Sequence, residues 1–351
     1  LFRQGHPIVG LCSSSILIRA LSSQLQHKRS DPAVLALAED GSAVVPLLGG
    51  HAGQANRIAV ELAALLGISA SITTAGDLRF SIALDAPPKG WVLANPEDAK
   101  SFMASLLAGS KVKLESHAAW LEESNLPFDD QGALSIVVTP KDVDGSSERL
   151  VFHPKTVTIG VGCERNCSPA EVIDHVNYLL KREGISKKSV AGIFSIDLKA
   201  DEPAVHEVAK TLGVSARFYD ASKLSQETDR LSVKSEIVFK ETGCYGVAEA
   251  AALLPTGSRG KLILPKEKTK RSTCAMAESV APIDGEIAGV PQGHLVLVGL
   301  GPGGAGWTSP EATHHLEAAS DLVGYSLYLD LCEISWDGKI RHDFPLGEEI
   351  D

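Results

Sequence analysis

The sequence predicts an α/β protein: two α/β modules joined by a small α+β middle domain, followed by the opening part of a further α/β domain. Three observations predict it. Apolar runs of strand length alternate with helical repeats along residues 1–80 and again along 156–280, the pattern of sheets covered by helices on both faces. Between them, residues 81–155 carry three short strand-like runs around a polar loop at 141–147. Residues 281–292 hold two Pro and two Gly and read as a linker, after which strand and helix signals resume over 293–351.

The elements follow in order. In the first module 7–12 reads as a buried strand, and 16–26 as a helix entered through Ser13-Ser14-Ser15, good capping residues. Residues 34–38 and 43–48 read as strands. A helix over 55–66 places Ile58, Leu62 and Leu65 on one face and stops at Gly67; 71–74 is a further short strand. This alternation favours a parallel sheet. Pro87-Pro88-Lys89-Gly90 is a turn, and Asn95-Pro96-Glu97-Asp98 opens a helix with Asn as its cap. Strands are expected at 111–115, 133–139 and 149–152. The third module begins with a strand at 156–161. Ser168-Pro169-Ala170-Glu171 is a capping box opening a helix to about 183. Strands at 190–196, 214–218 and 261–265 and helices at 202–212 and 247–254 complete it. In the last part 294–299 is a strand, Thr308-Ser309-Pro310-Glu311 a second capping box with its helix, and 321–324 a strand.

The chain has 351 residues and a formal net charge of −11, which argues against broad binding to nucleic acid or anionic membranes but leaves room for a local basic pocket. No apolar run reaches the ~18 residues of a membrane span. Leu1-Phe2-Arg3-Gln4-Gly5 is neither a start Met nor a signal peptide, so a piece of a longer protein is expected. Six scattered cysteines form no disulfide framework and fit a reducing cytoplasm.

Four features carry possible chemistry. In Leu48-Gly49-Gly50-His51-Ala52-Gly53-Gln54-Ala55-Asn56-Arg57, glycines between a strand and a helix expose backbone N–H groups at a helix N-terminus, a ready anion site in which His51 could act as base or donor; a plain turn with an exposed His51 is the bland alternative. Lys266, Lys268, Lys270 and Arg271 form a basic run, or else a solvated loop. Cys163-x-x-x-Cys167 lacks the second pair a zinc site needs, so no metal is expected and Cys163 reads as a small residue at a strand end. Gly299-Leu300-Gly301-Pro302-Gly303-Gly304 satisfies a dinucleotide pattern, but Pro302 interrupts it and the helix starts late.

Gly-Gly-His-x-Gly-x-x-Asn with Ile72-Thr73-Thr74-Ala75, Lys28 and Asp31-Pro32-Ala33-Val34 resembles the N-terminal domain of the cobalt-precorrin-5A hydrolase family. Gly160 to Arg165, Asp197 to Glu202, Val247 to Leu254, Lys266 and Thr273 to Ala277 resemble its C-terminal domain, so the likeness covers about residues 1–280. Gln54 departs from it where another Gly is expected, and the family's domain has more residues before Leu1. The resemblance implies hydrolysis of a δ-lactone on a cobalt macrocycle, with release of acetaldehyde and with the cobalt carried by the substrate. Such acyl hydrolysis needs a base for water and donors for the oxyanion. His51, Gly50 and Gly53 are the candidate catalytic group. Arg19, Asn56, Arg57, Thr73, Thr74, Arg165, Lys199, Glu202, Lys266 and Thr273 are candidates for the carboxylate-rich substrate. Lys199 and Glu202 could instead pair within a turn.

The string from His294 to Gly304, with Thr308 to Ala312 and Asp321 to Leu329, resembles the opening of precorrin-3B C(17)-methyltransferases of the tetrapyrrole methylase family. That implies S-adenosylmethionine, with Gly299, Gly301, Pro302 and Gly303 as cofactor residues, in a domain expected to be incomplete within this chain. The expected partners are a corrin precursor and other cobalamin-pathway enzymes. Two rivals are a non-catalytic module that holds corrin intermediates, and a nicotinamide-dependent reductase.

Overall fold

Three sheets organise residues 1–292, and each grows from the short apolar runs of the sequence. The computed structural model describes residues 1–27, 30–50, 53–291, 295–301 and 306–345, and divides into two units, 1–292 and 293–351. The architecture is α/β, as the sequence predicts. Among the described residues no helix is long and apolar enough to cross a membrane.

The first sheet holds β1 (Ile8–Leu11), β2 (Val34–Leu37) and β3 (Val44–Leu48), with helices α1 (Ser14–Leu21), α2 (Ala55–Leu66) and α3 (Ala75–Phe80). β1 and β2 are parallel, but β3 runs antiparallel to β2, against the expected all-parallel sheet. The connection from Leu37 to Val44 is too short for the crossover a parallel pair requires. α2 has the expected bounds and stops at Gly67, which takes φ 67°. Its buried stripe is Ala55, Ala59 and Ala63, while Leu65 is 83% exposed. Alanines spaced by four let the helix backbone approach the sheet closely, and they displace the larger residues to its flanks. Residues 71–74 form no strand; only Ala70 bridges to Val44 before the chain turns into α3.

The second sheet holds β4 (Trp91–Leu93), β5 (Val112–Leu114), β6 (Leu134–Val138) and β7 (Arg149–Pro154) in the order β4-β7-β6-β5, with α4 (Ala99–Leu107) and α5 (Ala119–Glu122). Phe102, Leu106, Leu121, Ile136 and Phe152 form its core. Asn95 does not cap α4. It is buried and bonds across to β7 instead, accepting from the Val151 amide (3.1 Å) and donating to the Arg149 carbonyl (3.0 Å). A buried amide side chain has to satisfy both its ends, and the strand edge does so.

The third sheet has β8 (Val157–Cys163), β9 (Val190–Ile196), β10 (Ala216–Tyr219), β11 (Lys261–Lys268) and β12 (Ser272–Glu278), in the order β10-β9-β8-β12-β11. α6 (Pro169–Arg182) and α7 (Pro203–Leu212) are the crossovers of the parallel strands β8, β9 and β10. The chain then passes through α8 (Ala221–Ser225), α9 (Glu236–Thr242) and α10 (Val247–Leu253) to the other side of β8, where β12 pairs antiparallel. The two-residue period of β8 sorts its faces. Val157, Ile159 and Val161 join the core shared with α6 and α7. Thr158 and Gly160 meet α10 instead: the Thr158 hydroxyl donates to the Ala252 carbonyl (2.6 Å), and a Cβ on Gly160 would stand 1.8 Å from the Ala248 oxygen. The stretch expected as a linker lies along the outer edge of β10, where Val290 and Phe218 exchange backbone bonds and Arg217 donates to the carbonyls of Ala288 and Gly289. It covers what would otherwise be an open strand edge.

The second unit holds α11 (Pro310–Ala318), β13 (Asp321–Tyr325), α12 (Ser326–Asp330) and β14 (Ile340–Phe344), with β13 and β14 parallel and a small core of Leu316, Leu322, Leu329 and Cys332. Ser309 caps α11 through the Ala312 amide (3.1 Å). The strand expected at 294–299 does not form among the described residues. No neighbour pairs with it, and Leu295 and Leu297 stand exposed.

Candidate functional site

The loop between β3 and α2 owes its shape to backbone contact. Gly49 takes φ 65°, and a Cβ at Gly49 or Gly53 would stand 2.8 Å from the Pro32 oxygen or the Ala33 nitrogen. The amides of Ala55 and Asn56 donate to the carbonyls of Gly49 and Gly50 (both 3.0 Å), so two donors at the helix start are spent in closing the loop. Gln54, the departure from the expected Gly, sits at φ 65°, the left-handed conformation that glycine adopts without cost. Its side chain accepts from Arg57, which also pairs with Glu61. The Asn56 amide donates to the Thr74 hydroxyl (3.2 Å).

This loop borders two clefts against the middle region. One, of about 1050 Å³, is lined by Gly50, Asn56 and Arg57 facing Asp85, Lys89 and Trp91. The other, of about 1130 Å³, has Gly49, Gly50 and Thr74 with Asp31, Asp85 and Lys100. Asp85, Lys89 and Lys100 are not among the expected site residues, because Lys89 reads only as part of a turn and the other two belong to no motif; only the packing of 81–107 against the first sheet brings them in. Thr73 is exposed, as is Arg19 on α1, and neither lines these clefts. His51 lies outside the described residues.

A third cleft, of about 620 Å³, opens at the C-terminal ends of β8 and β9. It brings together Arg165, Lys199, Lys266 and Thr273 from the expected set, and adds Lys268, Lys270 and Arg271. The first and third clefts share no lining residue, so the candidates fall into two groups. Arg165 pairs with Asp201 and donates to the Leu198 carbonyl (2.7 Å). Arg271 pairs with Glu164 (2.9 Å) and donates to the carbonyls of Arg165 and Asn166. Glu202 does not pair with Lys199. It is 1% exposed beneath the cleft, accepting from the Asn166 amide (3.3 Å) and lying 3.7 Å from Arg165. Thr273 donates to the Gly162 carbonyl (3.2 Å).

Two carboxylates shape the rim of this cleft. Glu171 does not close a capping box with Ser168, whose side chain makes no cap bond. It accepts from the Thr269 hydroxyl (2.6 Å) and the Arg271 amide (3.1 Å), and these bonds, the hydroxyl first, hold its carboxyl below the usual range. Glu249, which lies in the matching stretch 247–254 but is not among the expected site residues, is 3% exposed and accepts from the amides of Lys266 and Ser232 (both 2.7 Å) and from the Ser232 hydroxyl. Burial, aided by Glu202, pushes the Cys163 thiol up to about 11, so it is a neutral thiol at physiological pH and no ready nucleophile.

Comparison with known proteins decides the family. Residues 1–77 match the cobalamin synthesis G N-terminal model, 81–154 the cobalamin biosynthesis central region, and 157–277 the cobalamin synthesis G C-terminus. The chain is 31% identical over 302 residues to cobalt-precorrin-5A hydrolase of Priestia megaterium, which covers 79% of each chain. This chain belongs to the cobalamin synthesis G family. It is accordingly a protein of cobalamin biosynthesis. It is also 40% identical over 121 residues to Protein CobE of a Sinorhizobium species, covering 34% of this chain and 79% of that one. A 50-residue stretch is 48% identical to the cobalamin biosynthesis protein CobIJ of Mycobacterium tuberculosis, covering 14% of this chain and 10% of that protein. Among solved structures, CobE aligns with a TM-score of 0.34 at 32% identity, over 36% of this chain and 91% of that one.

Proposed function

We propose that the chain opens the δ-lactone of cobalt-precorrin-5A and releases acetaldehyde. Water adds to the lactone carbonyl and the acyl C–O bond breaks, leaving a carboxylate on the macrocycle and a hydroxyl on the two-carbon unit; loss of that hydroxyl's proton then breaks the C–C bond to the ring, the ring carbon keeping the electron pair, and the unit departs as acetaldehyde. One observation carries the reading beyond the family name: the Gly49-Gly50 loop opens through Gly50 and Asn56 onto a large cleft with apolar walls at Ile72, Ile82 and Trp91. There Asn56 and Arg57 would orient the substrate and His51 would take the proton from water, with Gly50 allowing the macrocycle close to the backbone; Gly53, whose missing Cβ leaves room for Ala33 and Gly49, would act only by closing the loop. The full chain incubated with the lactone substrate should yield acetaldehyde in an alcohol-dehydrogenase-coupled assay. His51→Ala should lower that rate by about 10²–10⁴-fold. Tight corrinoid binding with no acetaldehyde would replace the reading with a carrier role.

We also propose that residues 293–351 belong to a methyltransferase acting at C-17 of a corrin precursor. The motif likeness and the match to CobIJ support it. S-adenosylmethionine, when bound, supplies the methyl group. A Cβ on Gly299 would meet nothing within 4 Å, so the backbone is open at that residue, whereas Gly301, at φ 67°, lies against Trp307, whose carbonyl oxygen would stand 3.2 Å from a Cβ. Pro302 and Gly303 lie outside the described residues.

A further inference from the structure

The two clefts beside the glycine loop are not independent. Their linings share Gly50, Ile82 and Asp85, so they are two chambers that meet at a common waist. Gly50, on the loop between β3 and α2, forms one side of that waist. Ile82 and Asp85, on the segment that leads from α3 to β4, form the other. Among the described residues Asp85 is the only carboxylate lining the first chamber. The second chamber also has Asp31, but that carboxylate serves its own loop, accepting from the amides of Gln26 (3.2 Å) and His27 (3.3 Å).

The fold leaves Asp85 little freedom of position. Ile82 and Leu84 are buried in the core of the second sheet. The Ala86 amide donates to the Ala83 carbonyl (3.2 Å) and closes the turn that carries Leu84 and Asp85. Pro87 and Pro88 follow, each with a fixed φ. Upstream, the Asn125 side chain donates to the Ser81 hydroxyl (3.0 Å) and its backbone amide to the Phe80 carbonyl (2.9 Å). A short carboxylate set between a buried anchor and a proline pair is thus presented at the waist, where it is exposed to whatever enters.

Lactone hydrolysis with acetaldehyde release needs two proton transfers. The first takes a proton from water as the lactone opens. The second takes the proton of the hydroxyl on the two-carbon unit, and the C–C bond breaks with it. Once the acyl C–O bond has broken, the new carboxylate and the hydroxyl are no longer joined. A group aligned on the carbonyl carbon then has no fixed geometry toward the hydroxyl. A base on the wall facing the glycine loop supplies that geometry.

We infer that Asp85 is the base of this second half-reaction, an assignment that rests on the hydrolase function proposed above. Asp85 takes the hydroxyl proton, and the O–H pair becomes the second bond of the acetaldehyde carbonyl. The C–C pair stays on the ring carbon, where the conjugated macrocycle holds it. The proton then passes from the exposed carboxyl to water.

The test follows both halves in one reaction. The full chain is incubated with the lactone substrate, acetaldehyde is read by the coupled assay, and the ring species are read by mass spectrometry. Asp85→Asn should lower acetaldehyde release by about 10²–10⁴-fold while a ring-opened species, one water heavier than the substrate, accumulates. His51→Ala should leave the lactone closed and form no such species. Added formate, a small carboxylate, should restore acetaldehyde release to Asp85→Ala, which a residue needed only for folding would not allow. The inference is overturned if Asp85→Asn releases acetaldehyde at the wild-type rate, if it leaves the lactone closed, or if formate restores nothing to Asp85→Ala. A wild type that leaves the lactone closed would instead sink the hydrolase reading on which this assignment rests.

Discussion

Replacing Glu249 should damage stability and the basic cleft together. The side chain is 3% exposed, and its two oxygens accept three bonds, from the Lys266 amide, the Ser232 amide and the Ser232 hydroxyl. Glu249→Ala leaves these donors without their charged acceptor. Ser232 is exposed, so water can replace the carboxylate there; the Lys266 amide and the lost packing bear the main cost. Hydrogen bonds to a charged group contribute about 1.5–3 kcal/mol each, and with Ser232 partly compensated the expected loss is about 2–4 kcal/mol. Glu249→Gln keeps one acceptor oxygen but turns an amide NH2 toward a donor, so its loss should be about half as large. Urea titration of the first unit measures both. Equal midpoints for wild type and Glu249→Ala would refute the assignment of this carboxylate as the clamp between α10, β11 and the segment before α9.

Gly160→Ala should destabilise the third sheet by about 1–3 kcal/mol, because the new methyl collides with the Ala248 carbonyl; unchanged urea midpoints would refute the close packing of α10 on β8. Gln54→Gly should not destabilise the chain, whereas Gln54→Val should cost about 1–2 kcal/mol, since a branched residue resists φ 65°. Burial holds His153 and His175 below the ordinary histidine value of 6.5. Both are then neutral in the folded chain, so their contribution is full above that value and is lost as pH falls through it toward the depressed folded values, where the unfolded chain takes protons first. A melting temperature flat between pH 8 and about pH 5.5 would contradict this.

Much of the fold was legible because its signals are local. The strands at 190–196 and the bounds of α2 follow from apolar runs and from a glycine stop at φ 67°. Two misreadings share a cause: a residue with a good local role was taken by a distant partner. Asn95 left its cap for β7, and Glu171 left its capping box for Thr269. The orientation of β3 and the pairing of β12 depend on connection length and on strand order, which no window of residues reports. For the same reason the motifs named Arg165, Lys199 and Lys266 but not that they share a cleft, nor that Asn56 and Arg57 belong to a different one.

The lysines of β11 admit a plainer explanation than contact with a carboxylate-rich substrate, and the two can be separated. β11 is the outermost strand of its sheet, and lysine on an edge strand discourages pairing with another chain. Lys266 and Lys268 alternate along that strand and would serve this purpose without any ligand. Lys199 would not. It follows β9, in the interior of the sheet, and reaches the cleft because the loop after β9 lies beside the loop after β8. The register that sets Ser272 opposite Cys163 carries the hairpin at Thr269 and Arg271 over the same end of β8, so the two basic groups converge from opposite sides. If edge protection were the whole account, Lys268→Ala would promote self-association and Lys199→Ala would change nothing measurable. If the cleft takes the carboxylates of the substrate, Lys199→Ala should weaken binding of uroporphyrin I, a macrocycle rich in carboxylates, severalfold, and more than Lys268→Ala, because Lys199 is half-buried and Lys268 is exposed and better screened. Sedimentation velocity and a fluorescence titration with that porphyrin, run on the two single variants, give opposite orders under the two accounts.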